Sequence, residues 1–306
     1  MSEFELLSIN TSKEKGTKKF PVKNVCLKRN VGIVDDAHKG MKNRELSLLS
    51  REEIDQFNSE LVNGSFAENL TTLGLDLNNI KLLDYLQINN VLLQVSKIGK
   101  ECHDRCHIYK SIGDCIMPKK GVFCKVIKGG KISQGEKGVF LPKKYKVAII
   151  TLSDRASQNV YADKSGEQIK QKLDTYFSSL NREWELTKLV IPDSKIKLWM
   201  TFFKFISRKY DLIITTGGTG VSKKDITVEI AKRFIKKELS GITEHIRIKY
   251  GQDNKNALAS RSLVGVNDKT IICCLPGSVK AVSEYMDEIM PMLGHLFFMI
   301  WDVDGH

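Results

Sequence analysis

From residue 146 onward, short continuous apolar runs alternate with amphipathic helical stretches, and few folds accommodate that pattern. Residues 146–152, 184–191, 211–216 and 271–275 read as strands. Between them, residues 165–180 place Ile169, Leu173, Tyr176, Phe177 and Leu180 on one helical face. Residues 196–206 read as a helix buried on a wide face, and Val228, Ala231, Phe234 and Ile235 mark another. A last helix follows Pro276-Gly277 and carries Val279, Val282, Met286, Ile289 and Leu293. Strands that are apolar on both faces need helices on both sides. The expectation for residues 143–306 is a three-layer α/β domain with a mostly parallel sheet.

Residues 1–142 are patterned differently. Short β-like runs at 22–27, 91–96 and 123–127 are separated by Gly, Asn and Pro turns, and only 51–61 keeps a helical period. That half is expected to form a β-barrel domain, with the boundary beside Pro142 and its neighbouring lysines.

Composition narrows the function classes. Hydrophobic residues make up 42% and charged residues 27%, which is globular rather than disordered. The net charge of +12 is shared evenly by the two halves, which suits small polyanionic ligands better than a nucleic-acid arm. No nucleic-acid-binding motif is visible, and no apolar run approaches the roughly 18 residues that span a bilayer. The acidic start, Met1-Ser2-Glu3, does not read as a signal peptide, so the expected compartment is the cytoplasm. Seven cysteines without a secretion signal suggest thiol or metal chemistry before disulfides. Cys273 and Cys274, within an apolar run, read as packing residues.

In an open α/β sheet, ligands bind beyond the carboxyl ends of the strands. Here those ends carry Ser153-Asp154, Pro192-Asp193, Thr216-Gly217-Gly218-Thr219-Gly220 and Pro276-Gly277. A glycine-rich loop with threonines can cradle a phosphate through its amides and hydroxyls. The spacing fits neither a Walker A loop nor a Rossmann fingerprint, so a plain βα turn is an equal reading of the loop alone. Asp193 and Asp225 can serve as helix caps, as ligands for a hard cation, or as both.

The loop followed by Asp225 resembles the MoaB/Mog family of molybdopterin-binding proteins. Further matching segments occur in order: Leu152-Ser153-Asp154-Arg155-Ala156-Ser157, Tyr161, Asp163-Lys164-Ser165-Gly166, Ile191-Pro192-Asp193, Ser260-Arg261-Ser262 and Leu275-Pro276-Gly277-Ser278. Ser240-Gly241 stands where the family usually has Pro-Gly. The resemblance implies ATP-dependent adenylylation of molybdopterin with Mg²⁺, Asp193 and Asp225 being catalytic and metal-binding. It also implies substrate contacts at Ser153, Asp154, Thr216, Gly217, Gly218, Thr219, Gly220, Glu244, Ser260, Arg261, Pro276 and Gly277, and assembly as a homotrimer. Arg261 has a surface ion pair as its ordinary alternative.

In the first half, Cys102-His103-Asp104-Arg105-Cys106-His107 with Cys115 and Cys124 invites a metal reading, but only one cysteine spacing is short enough for structural zinc. The segments Asp36-Ala37-His38, Arg44-Glu45-Leu46, Glu68-Asn69-Leu70 and Lys100-Glu101-Cys102-His103 resemble a MOSC domain. That resemblance implies that the barrel binds molybdenum cofactor or carries a persulfide, with Cys102 as its central residue. Asp36, His38, Arg44, Glu68 and Asn69 are candidates for an anionic pterin site. Three functions remain in view: an adenylyltransferase, a non-catalytic protein that binds and delivers the cofactor, and a sulfur transferase acting through Cys102. A molybdenum-insertion protein or an apo-molybdoenzyme is the expected partner.

Overall fold

The computed structural model describes residues 2–100, 107–158, 160 and 162–303. The chain divides into two compact units, Met1–Lys143 with Asp302–His306, and Lys144–Trp301. The second domain was expected to run to residue 306. Instead Asp302 groups with the first unit, where its carboxylate pairs with Lys42 at 2.9 Å and its carbonyl accepts from Lys125.

The first unit holds strands β1 (Ser2–Thr11), β2 (Phe20–Val22), β3 (Asn24–Lys28), β4 (Gly32–Ile33), β5 (Leu46–Ser50), β6 (Leu70–Leu73), β7 (Tyr85–Ile88), β8 (Val91–Ile98), β9 (Val122–Lys128), β10 (Gly130–Ser133) and β11 (Lys137–Leu141). Helices α1 (Arg51–Asn58), α2 (His107–Ile112) and α3 (Met117–Lys120) connect them. The order β11-β7-β8-β9-β5-β6-β1 closes on itself through β1–β11, which makes a barrel and removes both edges. Alternation along β1 buries Phe4 and Leu6, and a register shift between Leu6 and Ser8 then brings Ile9 inward as well. The run expected at 22–27 is broken at Lys23 into β2, on the barrel, and β3, in a separate three-stranded sheet with β10 and β4.

The second unit contains β12 (Tyr145–Leu152), α4 (Asp154–Ser157), α5 (Lys164–Ser179), β13 (Trp184–Ile191), α6 (Lys195–Ser207), β14 (Leu212–Thr216), α7 (Thr227–Lys232), β15 (Lys237–Glu238), α8 (Ser240–Gly251), β16 (Leu263–Asn267), β17 (Thr270–Leu275) and α9 (Val279–Ile300). Its sheet runs β13-β12-β14-β17-β16-β15, parallel through the first four strands and antiparallel through the last two. Ala148, Ile150 and Leu152 of β12 pack with Leu198, Phe202 and Phe205 of α6 and with Val228 and Ala231 of α7. On the other face Tyr145 meets Phe177 of α5 and Phe297 of α9, at centroid distances of 5.2 and 4.7 Å. The domain therefore has three layers.

Two helical readings need correction. Leu180 is the C-cap of α5 and lies exposed rather than in its buried face. Helix α6 buries a single face, leaving Ile196, Met200 and Phe203 in solvent, because only Leu198, Phe202 and Phe205 point at the sheet. No described helix is long and apolar enough to cross a membrane.

Candidate active site

Register alone brings the motif residues together. Leu152 lies beside Ile191, Thr151 beside Thr216, and Thr216 beside Leu275, so the four parallel strands end at one edge of the sheet. Small polar residues then turn the chain into helices. Ser153 Oγ accepts from the Ala156 amide at 3.2 Å and starts α4, and Ser278 Oγ accepts from the Ala281 amide at 3.3 Å and starts α9.

The glycine loop leaves β14 between two neighbours. Gly217 and Gly218 have φ of 95° and 66°, the left-handed region in which a side chain is strained. A Cβ on Gly217 would stand 2.5 Å from the Leu152 carbonyl oxygen, and one on Gly218 would stand 2.4 Å from Thr227 Oγ1. Thr227 clasps the turn: its hydroxyl donates to Gly217 O at 2.8 Å and its amide to Gly218 O at 3.1 Å. Thr216 Oγ1 donates to Pro276 O at 2.8 Å, which ties the loop to the Pro276-Gly277 turn. Among the described residues, no acceptor takes the amides of Gly218 and Thr219, so a bound anion can.

Two carboxylates flank this loop. Asp193 and Asp154 exchange hydrogen bonds: the Asp154 amide donates to Asp193 Oδ2 at 3.3 Å and the Asp193 amide to Asp154 Oδ1 at 3.1 Å. Asp225 Oδ2 accepts from the Ser222 amide at 2.8 Å. Burial raises the Asp193 pKa, and the negative charges of Asp154 and Asp225 raise it further against the Asp154 amide and Lys224. Burial also pushes Asp225 upward, but hydrogen bonds from Ser222 and Gly220 and the charge of Arg261 outweigh it and hold that carboxyl below its usual range. Asp154 is likewise lowered, by the Asp193 amide and by Lys224, whose Nζ stands 3.4 Å away.

Carboxylates that raise one another's pKa are hard oxygen donors of the kind that bind a divalent cation. Among the described residues no group of three or more His, Cys, Asp or Glu side chains is arranged to hold one unaided. A cation held by Asp193 and Asp225 would need further oxygen ligands from outside the protein.

The remaining expected residues are distributed unevenly. Arg261 reaches the loop, although its guanidinium donates to Gly220 O and Asp225 O and pairs with Glu229. Ser260 Oγ lies 2.8 Å from Ser262 Oγ and accepts from Tyr285 OH at 3.3 Å. Glu244 is exposed on α8. Thr227, Ser222 and Lys224 also hold the loop and its carboxylates; a capping pattern from Asp225 to Glu229 includes Thr227, and no sequence signal marks Ser222 or Lys224.

Residues 148–295 match the family model described as "Probable molybdopterin binding domain", and residues 35–137 match the MOSC domain. The molybdenum cofactor biosynthesis protein B of Staphylococcus epidermidis is 34% identical over 166 residues, covering 52% of this chain and 91% of that protein. The chain belongs to the molybdopterin-binding family. The molybdopterin adenylyltransferase of Helicobacter pylori is 31% identical over 155 residues, 50% of this chain and 86% of its own length. Gephyrin of Dictyostelium discoideum is 32% identical over 160 residues, but the chain spans only 22% of it. The glycine loop and both aspartates lie inside the molybdopterin-binding domain, and the barrel is its MOSC partner.

In the MOSC domain, Cys102 lies outside the described residues, as does Tyr161 in the other domain. A cavity of about 900 Å³ is lined by Lys13, Thr17, Lys18, His107 and Ser111, among others. Glu68 and Asn69 do not face it as free ligands. Glu68 is fully buried and accepts from the Gly64 and Phe66 amides, while Asn69 Oδ1 accepts from Ser47.

Proposed function

We propose that the molybdopterin-binding domain transfers the AMP group of ATP to the terminal phosphate of molybdopterin, releasing pyrophosphate, as an enzyme of molybdenum cofactor biosynthesis. The observation that carries this reading is the meeting of open loop amides with the Asp193 and Asp225 carboxylates at one sheet edge. In the reaction a phosphate oxygen of the pterin bonds to the α-phosphorus of ATP while the bond to the β-phosphate oxygen breaks. No proton needs to move, since the attacking oxygen is anionic at neutral pH. The chain's task is positioning: Gly218 and Thr219 hold phosphate oxygens, and Thr227 and Thr216 keep the loop in shape. Asp193 and Asp225 would hold Mg²⁺, whose charge would offset that of the departing pyrophosphate.

One observation favours the second reading, a non-catalytic binding and delivery protein: Lys224 already offers the carboxylate cluster a protein cation at 3.4 Å from Asp154. For the MOSC domain we propose cofactor binding or persulfide transfer through Cys102. Homotrimer formation, hand-over to an insertion protein or apo-molybdoenzyme, and a cytoplasmic setting belong to the same proposal. Incubation with molybdopterin, ATP and Mg²⁺ tests it. Adenylylated pterin should appear by mass spectrometry in step with pyrophosphate, whereas the delivery reading gives neither product.

A further inference from the structure

We propose that Glu229 and Arg261 form a positioning pair that sets where the loop 217–225 holds its anion and the Asp225 carboxylate. Its consequence for the reaction rests on the adenylyl-transfer reading, whereas its structural part stands on geometry. Arg261 Nε donates to Gly220 O at 2.6 Å, Nη2 donates to Asp225 O at 3.0 Å, and Nη1 pairs with Glu229. The Arg261 amide adds a bond to Thr219 O at 3.0 Å. One residue thus pins both ends of the excursion from Gly220 to Asp225.

Residues 221–224 are exposed, with Val221 at 80%. Besides Arg261, the excursion is held by bonds from Ser222 and Gly220 to Asp225 and by Lys224, whose Nζ stands 3.4 Å from Asp154. Such a segment would open locally if its ends were free. Glu229 lies in the first turn of α7, four residues after Asp225, so pairing with it orients the guanidinium against the helix that follows the loop. A planar fork can serve three acceptors at fixed angles; a lysine ammonium at the end of a flexible stem cannot reproduce that set. Arg261 thereby commits three of its five N–H donors to the protein, and through them it holds the loop. The partner of the Glu229 carboxylate is the Arg261 guanidinium. It acts through Arg261.

Hydrogen exchange on the full chain, compared among wild type, Glu229→Gln and Arg261→Lys, tests the clamp without any ligand. The bonded amides of Gly220, Ser222, Asp225 and Arg261 should exchange about tenfold faster in both variants, the scale of one lost charge-assisted hydrogen bond. Those of β12 and β17 should keep wild-type protection. Pyrophosphate release is then titrated with Mg²⁺. Half-saturating Mg²⁺ should rise about tenfold in Glu229→Gln, with a much smaller change in the rate at saturating Mg²⁺, and Glu229→Asp should recover part of the loss. Unchanged loop exchange, or protection lost evenly across the sheet, overturns the proposal. So does an unaltered Mg²⁺ dependence in Glu229→Gln when wild type turns over. If wild type releases no pyrophosphate, it is the adenylyl-transfer reading that fails, and the exchange result alone decides the clamp.

Discussion

The side chain of Lys19 is wholly buried in the MOSC domain and meets both oxygens of Asp36, at 2.5 and 2.6 Å. The amides of Ser12 and His38 complete the carboxylate's shell. Burial raises the Asp36 pKa, but the hydrogen bonds from His38 and Lys19 more than reverse this and hold it far below the usual carboxylate range. Burial also pulls Lys19 down, against the attraction of Asp36. A carboxyl depressed on folding stabilises fully above its unfolded pKa, roughly 3.9, and loses that contribution as pH falls through its folded value. Hydrogen-exchange protection in residues 8–38 should therefore weaken below about pH 4. Lys19→Met strands a buried charge and should destabilise the barrel by about 3–5 kcal/mol at neutral pH, read by the same exchange. Thiols divide just as sharply. Burial pushes Cys124 and Cys274 up to about 12 and raises Cys273 as well, so all three should resist mild alkylation near neutral pH. Cys102 should label faster than the exposed Cys26 if it carries sulfur, and equal rates would count against that role. From sequence alone, Asp36 and Glu68 looked like ligand groups because nothing local reveals that their acceptors are spent inside the fold.

Elements were most legible where burial is two-sided. Strands β12, β14 and β17 are continuous apolar runs, and each emerged within a residue or two of its expected bounds. Strand β16 was missed. Gly265 interrupts it, and the structure gives the reason: a Cβ there would stand 2.5 Å from Ile235 and 2.8 Å from the Lys237 carbonyl oxygen, where β15 crosses close by. Helix α8 was missed too, since Ser240–Gly251 buries only Thr243, Ile246 and Gly251 and is rich in β-branched residues. Closure of the barrel depends on a similar close approach. Phe4 of β1 pairs with Gly138 of β11, and a Cβ on Gly138 would stand 2.2 Å from the Phe4 ring. Gly138→Ala should force that ring aside and cost about 1–3 kcal/mol, the range for an overpacked core. Faster exchange along β1 and β11 is the expected sign, while full protection there would show that the ring moves freely.

At the scale of the molecule, the sequence shows two modules because the period of its hydrophobic pattern changes near Pro142, and the structure separates two compact units beside that point. The strand-end positions of Ser153, Asp193, Gly217 and Pro276 follow from parallel register, so their gathering at one sheet edge was legible in the sequence. Its inner wiring was not. The Thr227 clasp and the guanidinium bridge from Arg261 depend on chain reversals that no local pattern encodes. The central claim is that this edge performs adenylyl transfer with Asp225 on the metal side. Pyrophosphate release from ATP and molybdopterin at saturating Mg²⁺, compared between wild type and Asp225→Asn, tests it most directly. The substitution keeps size and hydrogen-bonding capacity while removing charge. Wild type should turn over and the variant should fold, bind pterin and lose at least about 10²-fold in rate, the scale of a lost electrostatic group. A silent wild type, or a variant that keeps its rate, would contradict the claim.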